Sequence, residues 1–228
     1  GAAMTGVSGA GSAGGVMMLS RSWFNEANTS AWYLVPGLSI VVLTLSASFL
    51  GSIVIAREWE RGTMETLSIT PATSLEIVLS KFLANYALIS VGSLLTFLTA
   101  VFIFDAPVRG SLFLLALTML FYTAWAVSFG LFLSAFLKSQ FVAIQLAVIG
   151  SYLPSLILSG YLFDLRSVPA FMSAVGHMMP PTYAIESVKI LYLSGGPEHI
   201  VLSNLAVLAA WVVLFLALAL AATKKRLD

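Results

Sequence analysis

The chain has no cysteine, only two histidines and few charges, and each scarcity excludes a class of protein. Without cysteine there are no disulfides and no cysteine-ligated zinc or iron–sulfur sites. His177 and His199 are far apart in the sequence, so they do not predict a metal cluster. Charged residues make up 9% of the 228, against about a quarter in soluble domains. The sequence therefore argues against a soluble fold, and no Lys/Arg-rich run predicts binding of nucleic acid.

Two familiar segments are also missing from the sequence. There is no phosphate-binding loop of the form G-x-x-x-x-G-K-[ST], and the glycine-rich opening lacks the lysine of such a loop. The same opening has no basic stretch followed by an apolar core, so it is not a signal peptide. We expect residues 1–35 to be a flexible linker or the tail of an extracytoplasmic region.

Apolar residues are abundant, at 59% of the chain. They are concentrated in five uncharged runs, each long enough for the roughly 20 residues that a membrane-spanning helix needs. These runs predict spans at about 36–56, 82–104, 111–137, 140–160 and 200–223. Only helices satisfy their backbone inside lipid without the alternating pattern of a barrel. The predicted fold class is an all-α polytopic membrane protein with five transmembrane helices in a domain covering residues 36–228.

Residues 161–192 include a sixth weakly charged stretch, but prolines interrupt it. The charge balance also favours five crossings, because most basic residues then lie on one side, which the positive-inside rule makes cytoplasmic. These residues are Arg57, Arg61, Lys81, Lys138, Lys224, Lys225 and Arg226. We therefore predict that residues 161–192 form an outer re-entrant or interfacial helical element, and that the C-terminus is cytoplasmic.

Residues 57–81, here called the charged island, separate the first two predicted spans. The island reads REWERGTMETLSITPATSLEIVLSK and holds seven of the chain's few charges: Arg57, Glu58, Glu60, Arg61, Glu65, Glu76 and Lys81. The acidic and basic side chains are spaced so that they can pair along a helix. Gly62 predicts a turn, and Ser74 predicts the N-cap of a new helix. From spacing alone, the stronger interpretation is a solvated loop whose charges only set the topology.

Three stretches carry a family resemblance: WFNEANTSAWYLVPG, the charged island, and LPSLILSGYLFDLRSVP followed by HMMPPTYAIESVK. Together they resemble permease subunits of ABC-2-type ABC transporters, over about residues 23–226. The family has a stretch like R-E-x-E-R-G-T-x-E-x-L with T-P shortly after. The residues that match it are Arg57, Glu58, Glu60, Arg61, Gly62, Thr63, Glu65, Leu67, Thr70 and Pro71.

The resemblance implies an ABC-2 (type V exporter-like) transmembrane domain, here without its first helix and outer domain. It implies that residues 57–71 couple the permease to a separate ATPase subunit, which binds ATP and Mg²⁺, while this chain binds no cofactor. A second permease copy or homologue completes a dimer, and the complex exports a substrate across a bacterial inner membrane. The expected outer gate comprises Pro154, Gly160, Pro169, Pro180 and Pro181. Glu26 and Asp164 depart from the pattern, since the family often has proline there.

Two other functions stay open from the residues. One is an intramembrane lipid-modifying enzyme, for which His177, with Ser173 four residues before it, is the candidate group. The other is a membrane scaffold that recruits an ATPase without transport. No acidic side chain or lysine lies in the middle of a span, which disfavours proton- or sodium-coupled transport. Hydroxyl and amide side chains in the second span predict hydrogen bonds between helices, and Ala47 with Gly51 predicts a close helix contact.

Overall fold

The computed structural model describes residues 30–161 and 169–223, and this part of the chain is helical with no strand. The helices are α1 (Ser30–Glu60), α2 (Thr63–Ile69), α3 (Ser74–Phe102), α4 (Leu112–Leu137), α5 (Gln140–Ala147), α6 (Leu153–Ile157), α7 (Ala170–Met178), α8 (Pro180–Lys189) and α9 (Glu198–Ala222). A π-helical segment, Val148–Tyr152, joins α5 to α6, and a second one, Ile190–Ser194, follows α8.

Five stretches of helix are long and apolar enough to cross a membrane, which confirms the predicted fold class. They are Leu34–Glu60, Ser74–Phe102, Leu112–Leu137, Gln140–Ile157 and Glu198–Ala222. The first two extend beyond the predicted apolar runs at the charged island, because Arg, Glu and Lys are good helix formers and let a helix continue into water. The helices are therefore longer than their apolar parts.

α1 and α4 pack against each other in the middle of the molecule, and the other long helices surround them. Their contact is closest where Gly51 faces Gly130. A Cβ atom on Gly130 would lie 2.5 Å from the backbone oxygen of Ser48, and one on Gly51 would lie 2.7 Å from that of Val127. Both distances are too short for any side chain. The predicted close contact at Gly51 is confirmed, and Ala47 is fully buried beside it.

The fourth span remains helical through Pro154, although proline interrupts most helix interiors. Pro154 lies in the first turn of α6, directly after the π-helical segment. The π-helical segment changes the hydrogen bonding just before the proline, since the Leu153 N–H bonds the Val148 carbonyl five residues back. The missing N–H of Pro154 therefore falls where the regular α-helical bonding is already interrupted. The span ends at Ile157, three residues before the predicted boundary, and Gly160 has a φ of +77° in the turn that follows.

The helix ends form two groups. One end of the bundle holds the charged island together with the α4–α5 link. The opposite end holds the α3–α4 link, whose Arg109 and Gly110 donate backbone hydrogen bonds to the Leu191 carbonyl at 3.2 and 2.8 Å. α7 and α8 lie at this opposite end. α8 packs against α1, α4 and α9, so it lies among the long helices rather than above them.

Several predicted features fall outside the described residues. They are most of the linker 1–35, with Glu26, and also Asp164 and the basic residues 224–226. The assignment of the C-terminus to the cytoplasm therefore stays a prediction.

Candidate functional site

The charged island folds into the end of α1, the short helix α2 and the start of α3. Gly62 separates α1 from α2 with a φ of +70°, in the left-handed region that glycine enters without strain. The predicted turn at Gly62 is therefore present. Met64 anchors α2, since its side chain is only 4% exposed. The island is an ordered structure with its own buried contact rather than a loose loop.

α3 begins one residue earlier than the predicted cap implies. The N-cap is Thr73, not Ser74, and Thr73 forms a capping box with Glu76. The Thr73 backbone N–H donates to Glu76 Oε2 at 2.7 Å, and the Glu76 N–H donates to Thr73 Oγ1 at 3.3 Å. The T-x-x-E spacing of these residues is the sequence signal for such a box.

Glu58 joins three pieces of the island. Lys81 on α3 donates to Glu58 Oε1 at 2.7 Å, and Thr63 at the start of α2 donates to the other carboxylate oxygen. Glu58 lies beyond the apolar part of α1, which ends at Ala56. The hydrogen bond from Lys81, with a second from Thr63, holds the pKa of Glu58 below its usual value. The pair is partly exposed, so we expect it to contribute no more than about 1 kcal/mol to folding.

Glu60 reaches across to the beginning of α5. Its Oε1 accepts a hydrogen bond from the Gln140 backbone N–H at 2.7 Å, and its Oε2 accepts one from the Gln140 side-chain amide. Both bonds favour the ionised carboxylate, and they lower the pKa of Glu60. Glu60 is exposed, yet it binds its own chain.

Trp59, between these two acids, contacts a third helix. Lys138, the C-cap of α4, lies over the Trp59 ring with its Nζ 4.0 Å from the ring centroid. This is the geometry of a cation–π contact. Three consecutive residues of α1 therefore contact four other helices, α2, α3, α4 and α5. Sequence reasoning missed Trp59, Lys138 and Gln140. The only sequence signal for these contacts was that the link between the third and fourth apolar runs is short and polar.

The remaining predicted island residues form an exposed face. It comprises Arg57, Arg61, Gly62, Thr63, Glu65, Thr70 and Pro71. Ile69, at the end of α2, is 84% exposed and was not predicted as a site residue. Single exposed apolar side chains are ordinary on a protein surface, so Ile69 by itself does not mark an interface. The exposed face thus combines both signs of charge with one apolar side chain.

The predicted outer residues lie at the opposite end but do not all meet. Lys189 at the end of α8 donates to the Gly160 carbonyl at 2.8 Å, which links the turn after α6 to α8. Pro180 and Pro181 open α8 and are buried. Pro154 lies within α6, and Pro169 is exposed at the start of α7.

Asn204 further fixes α8, because its side-chain amide bonds Glu186 Oε2 and Ser187 Oγ, both at 3.1 Å. Asn204 lies about two turns into α9. α8 is therefore held beside the first turns of α9.

His177 is not arranged to take a proton from Ser173. Its Nδ1 lies 2.7 Å from the Ser173 carbonyl oxygen and 3.5 Å from the Ser173 hydroxyl. A carbonyl only accepts, so Nδ1 carries the proton and cannot take one from Ser173. Among the described residues, no group of three or more His, Asp or Glu side chains is placed to hold a metal. The geometry gives no support to the lipid-modifying enzyme.

The polar side chains of α3 mostly bond within their own helix, contrary to the prediction of bonds between helices. Asn85, Ser90, Thr96 and Thr99 each donate to the carbonyl four residues earlier. Ser93 reaches the sulfur of Met119 on α4 at 3.6 Å. The interhelical hydroxyl bonds lie instead on α1. Ser151 Oγ lies 2.7 Å from Ser48 Oγ, and it also bonds the Ala147 carbonyl of its own helix.

Comparison with known proteins identifies relatives over nearly the whole chain. The family described as ABC-2 family transporter protein matches residues 12–221. A probable multidrug ABC transporter permease of Escherichia coli, YbhS, is 37% identical over 92% of this chain and 55% of its own length. A second E. coli probable multidrug permease, YbhR, is 27% identical over 82% of this chain and 51% of its own.

ABC transporter G family member 20 of Dictyostelium discoideum is a more distant relative, 26% identical over 85% of this chain and 27% of its own. No solved structure matches the chain. The chain spans about half the length of the curated E. coli relatives it matches.

Proposed function

This chain belongs to the ABC-2 family of transporter proteins, and from that premise we propose that it is the membrane-spanning permease subunit of an ATP-driven exporter. The relatives named as multidrug permeases support this class of activity. A separate ATPase subunit binds ATP and Mg²⁺. A second permease copy or homologue completes the pathway in a bacterial inner membrane, with the C-terminus cytoplasmic. The exported substrate is of the drug, lipid or glycan class.

One observation carries the proposal. The charged island is built as a rigid contact surface: α2 is anchored by buried Met64, and the adjoining end of α1 binds α3, α4 and α5. A force applied to α2 therefore reaches four membrane helices through direct contacts. A loop that only set the topology would need none of these bonds.

The exposed face of the island is the proposed docking surface for the ATPase. Arg57, Arg61 and Glu65 supply charges, which fix the orientation of a partner and speed its approach. Ile69 supplies the apolar side chain, which a partner groove would bury for about 1.5–3 kcal/mol. When ATP binding brings two ATPase subunits together, α2 moves with them, and the long helices are reoriented.

The opposite end supplies the proposed outer gate. α8 is fixed to Gly160 by Lys189 and to α9 by Asn204. Because α8 also packs on α1 and α4, a shift of the long helices carries the gate with it. Pro154, Pro169, Pro180 and Pro181 delimit its short helices.

The proposal is tested by purifying the tagged full-length protein from its native membranes in mild detergent. We expect an ATPase subunit to co-purify and to hydrolyse ATP. In the double variant Arg61→Glu with Ile69→Ser, we expect the amount of co-purified ATPase subunit to fall at least tenfold. Phe171→Ser is the matched control, because Phe171 is 80% exposed at the opposite end. A native preparation without ATPase, or a double variant that retains it fully, would contradict the proposal.

The scaffold hypothesis makes a different prediction in the same preparation. A scaffold would bind the ATPase without moving any substrate. Export by the complex reconstituted into vesicles, with ATP turnover stimulated by the substrate, separates the two hypotheses.

A further inference from the structure

α5 is fastened to α1 by a carboxylate that caps its first turn. At the charged-island end, the carboxylate of Glu60 accepts hydrogen bonds from both the backbone and the side chain of Gln140. Gln140 is the first residue of α5, and the N-cap residue, Ser139, makes no side-chain cap of its own. The first turn of α5 is therefore capped from α1 rather than from its own sequence. Whatever moves Glu60 acts directly on the start of α5.

Hydroxyl bonds continue this contact along the two antiparallel helices. Ser151 Oγ and Ser48 Oγ lie 2.7 Å apart, and Ser155 Oγ lies 3.2 Å from Thr44 Oγ1, which also bonds Tyr122 on α4. All four side chains are fully buried. The Glu60–Gln140 bonds lie about three helical turns from the Ser48–Ser151 bond on both helices, and the Thr44–Ser155 bond is one turn further. We call these four hydroxyl residues the hydroxyl seam.

The middle of the seam coincides with an irregular stretch of helix. Ser151 lies in the π-helical segment Val148–Tyr152, and Pro154 follows in the next turn. π-helical turns are rare and are frequent at functional sites. Hydroxyl groups can exchange partners with little rearrangement, since each is both donor and acceptor. Nothing in this contact resembles the backbone-to-backbone packing of Gly51 against Gly130.

From these contacts we propose that Glu60 and Gln140 are the positioning pair that passes movement of the charged island to α5, and that α5 and α6 then shift along α1 at the hydroxyl seam. This inference rests on the proposed function, since the movement originates in the ATPase. Glu60 is therefore a positioning residue inside the permease and not a contact with the partner. α4 stays fixed to α1.

A cysteine pair reports the shift directly, because the chain has no other cysteine. Ser48→Cys with Ser151→Cys places two sulfurs where oxygens lie 2.7 Å apart, close enough for a disulfide. In the purified complex with its ATPase, the rate of disulfide formation is measured without nucleotide and with ATP, Mg²⁺ and vanadate. We expect nucleotide to change this rate at least fivefold.

The same rate of disulfide formation is then measured with each of three further substitutions added to the cysteine pair. Glu60→Ala should make the rate insensitive to nucleotide while the ATPase stays bound. Glu60→Gln keeps an acceptor for the Gln140 N–H and should restore at least half of the response. Gln145→Ala, an exposed glutamine on the same helix, should respond like the unaltered pair.

The outcomes separate this inference from the proposed function. If no ATPase co-purifies with the cysteine-pair protein, the proposed function fails. The inference is overturned if the ATPase is bound but the rate of disulfide formation does not change with nucleotide. It is also overturned if Glu60→Ala responds to nucleotide like the Gln145→Ala control. In both cases the proposed function stands. Should Glu60→Ala fail to fold, Gln140→Ala removes only the side-chain bond and is expected to reduce the response. An undiminished response in Gln140→Ala would then overturn the inference.

Discussion

The two interfaces of α1 differ in how they are made. Towards α4 the backbones meet at Gly51 and Gly130, with no room for a single Cβ atom, and hydrogen bonds at Thr44 and Ala56 add to this close packing. Towards α5 and α6 the contact is a row of hydrogen bonds, at Glu60, Ser48 and Thr44. Close packing has one good arrangement and loses energy steeply when displaced. Hydrogen bonds between hydroxyls can be remade one turn away. The difference teaches that α1 and α4 form the fixed part of the protein, while α5 and α6 form the movable part.

The first and largest prediction breaks the fixed interface. Gly130→Leu should destabilise the protein by about 3 kcal/mol or more, because its Cβ would lie 2.5 Å from the Ser48 carbonyl oxygen. Thermal unfolding of the purified protein in detergent measures the effect. Gly92→Leu is the control, since a Cβ there meets nothing within 4 Å. Equal stability of the two variants would contradict the fixed interface.

The second prediction concerns a substitution in the movable interface, which should lower the stability of the protein much less. Interhelical hydrogen bonds in membranes are worth about 0.6 kcal/mol on average, so Ser48→Ala should destabilise the protein by less than about 1 kcal/mol. Thermal unfolding again measures it, with the exposed Ser46→Ala on the same helix as control. A loss as large as that of Gly130→Leu would show that both interfaces are equally rigid, and the comparison would fail.

The third prediction concerns pH and the Glu60–Gln140 contact. The fold lowers the pKa of Glu60 from an ordinary value of 4.5. The ionised carboxylate is thus the form that the fold favours, and its contribution is complete above the ordinary pKa. As pH falls through the lowered pKa, the contribution is lost.

Hydrogen exchange of the Gln140 amide measures this effect. After correction for the intrinsic exchange rate, protection should be constant above about pH 5 and decline in more acid solution. Glu60→Gln, which cannot ionise, should show no such decline. If protection of the Gln140 amide declined by the same amount in Glu60→Gln, the decline would be caused by a titrating group other than Glu60.

The sequence predicted the membrane fold well and the internal contacts of the site poorly. Uncharged runs locate the spans, because a hydrocarbon layer tolerates nothing else over that length. The Gly62 turn followed from the freedom of glycine, and Thr73 was missed only because the T-x-x-E signal to Glu76 was not weighed. The family resemblance located the island. It did not reveal that Glu60 caps another helix.

The missed contacts share a physical reason. Gln140 lies far from Glu60 in the sequence, and Trp59 is as far from Lys138, so only the packing of the helices brings them together. The side-chain pattern along one helix predicts neighbours three or four residues apart. Likewise a serine in a span gives no sign of whether it bonds its own helix, as Ser90 does, or a neighbouring helix as well, as Ser151 does.

The most direct test of the fixed and movable interfaces is the effect of a disulfide across each on ATP hydrolysis by the purified complex. One disulfide joins α1 to the π-helical segment through Ser48→Cys and Ser151→Cys. The other joins α1 to α4 through Ala56→Cys and Ser134→Cys, where Ser134 Oγ lies 2.8 Å from the Ala56 nitrogen. Mass spectrometry confirms that each disulfide has formed.

We predict that the first disulfide lowers hydrolysis at least tenfold and that reduction restores it, whereas the second changes hydrolysis less than twofold. Hydrolysis at the native rate with the first disulfide fully formed would contradict the account, since α5 and α6 would then have no need to move along α1.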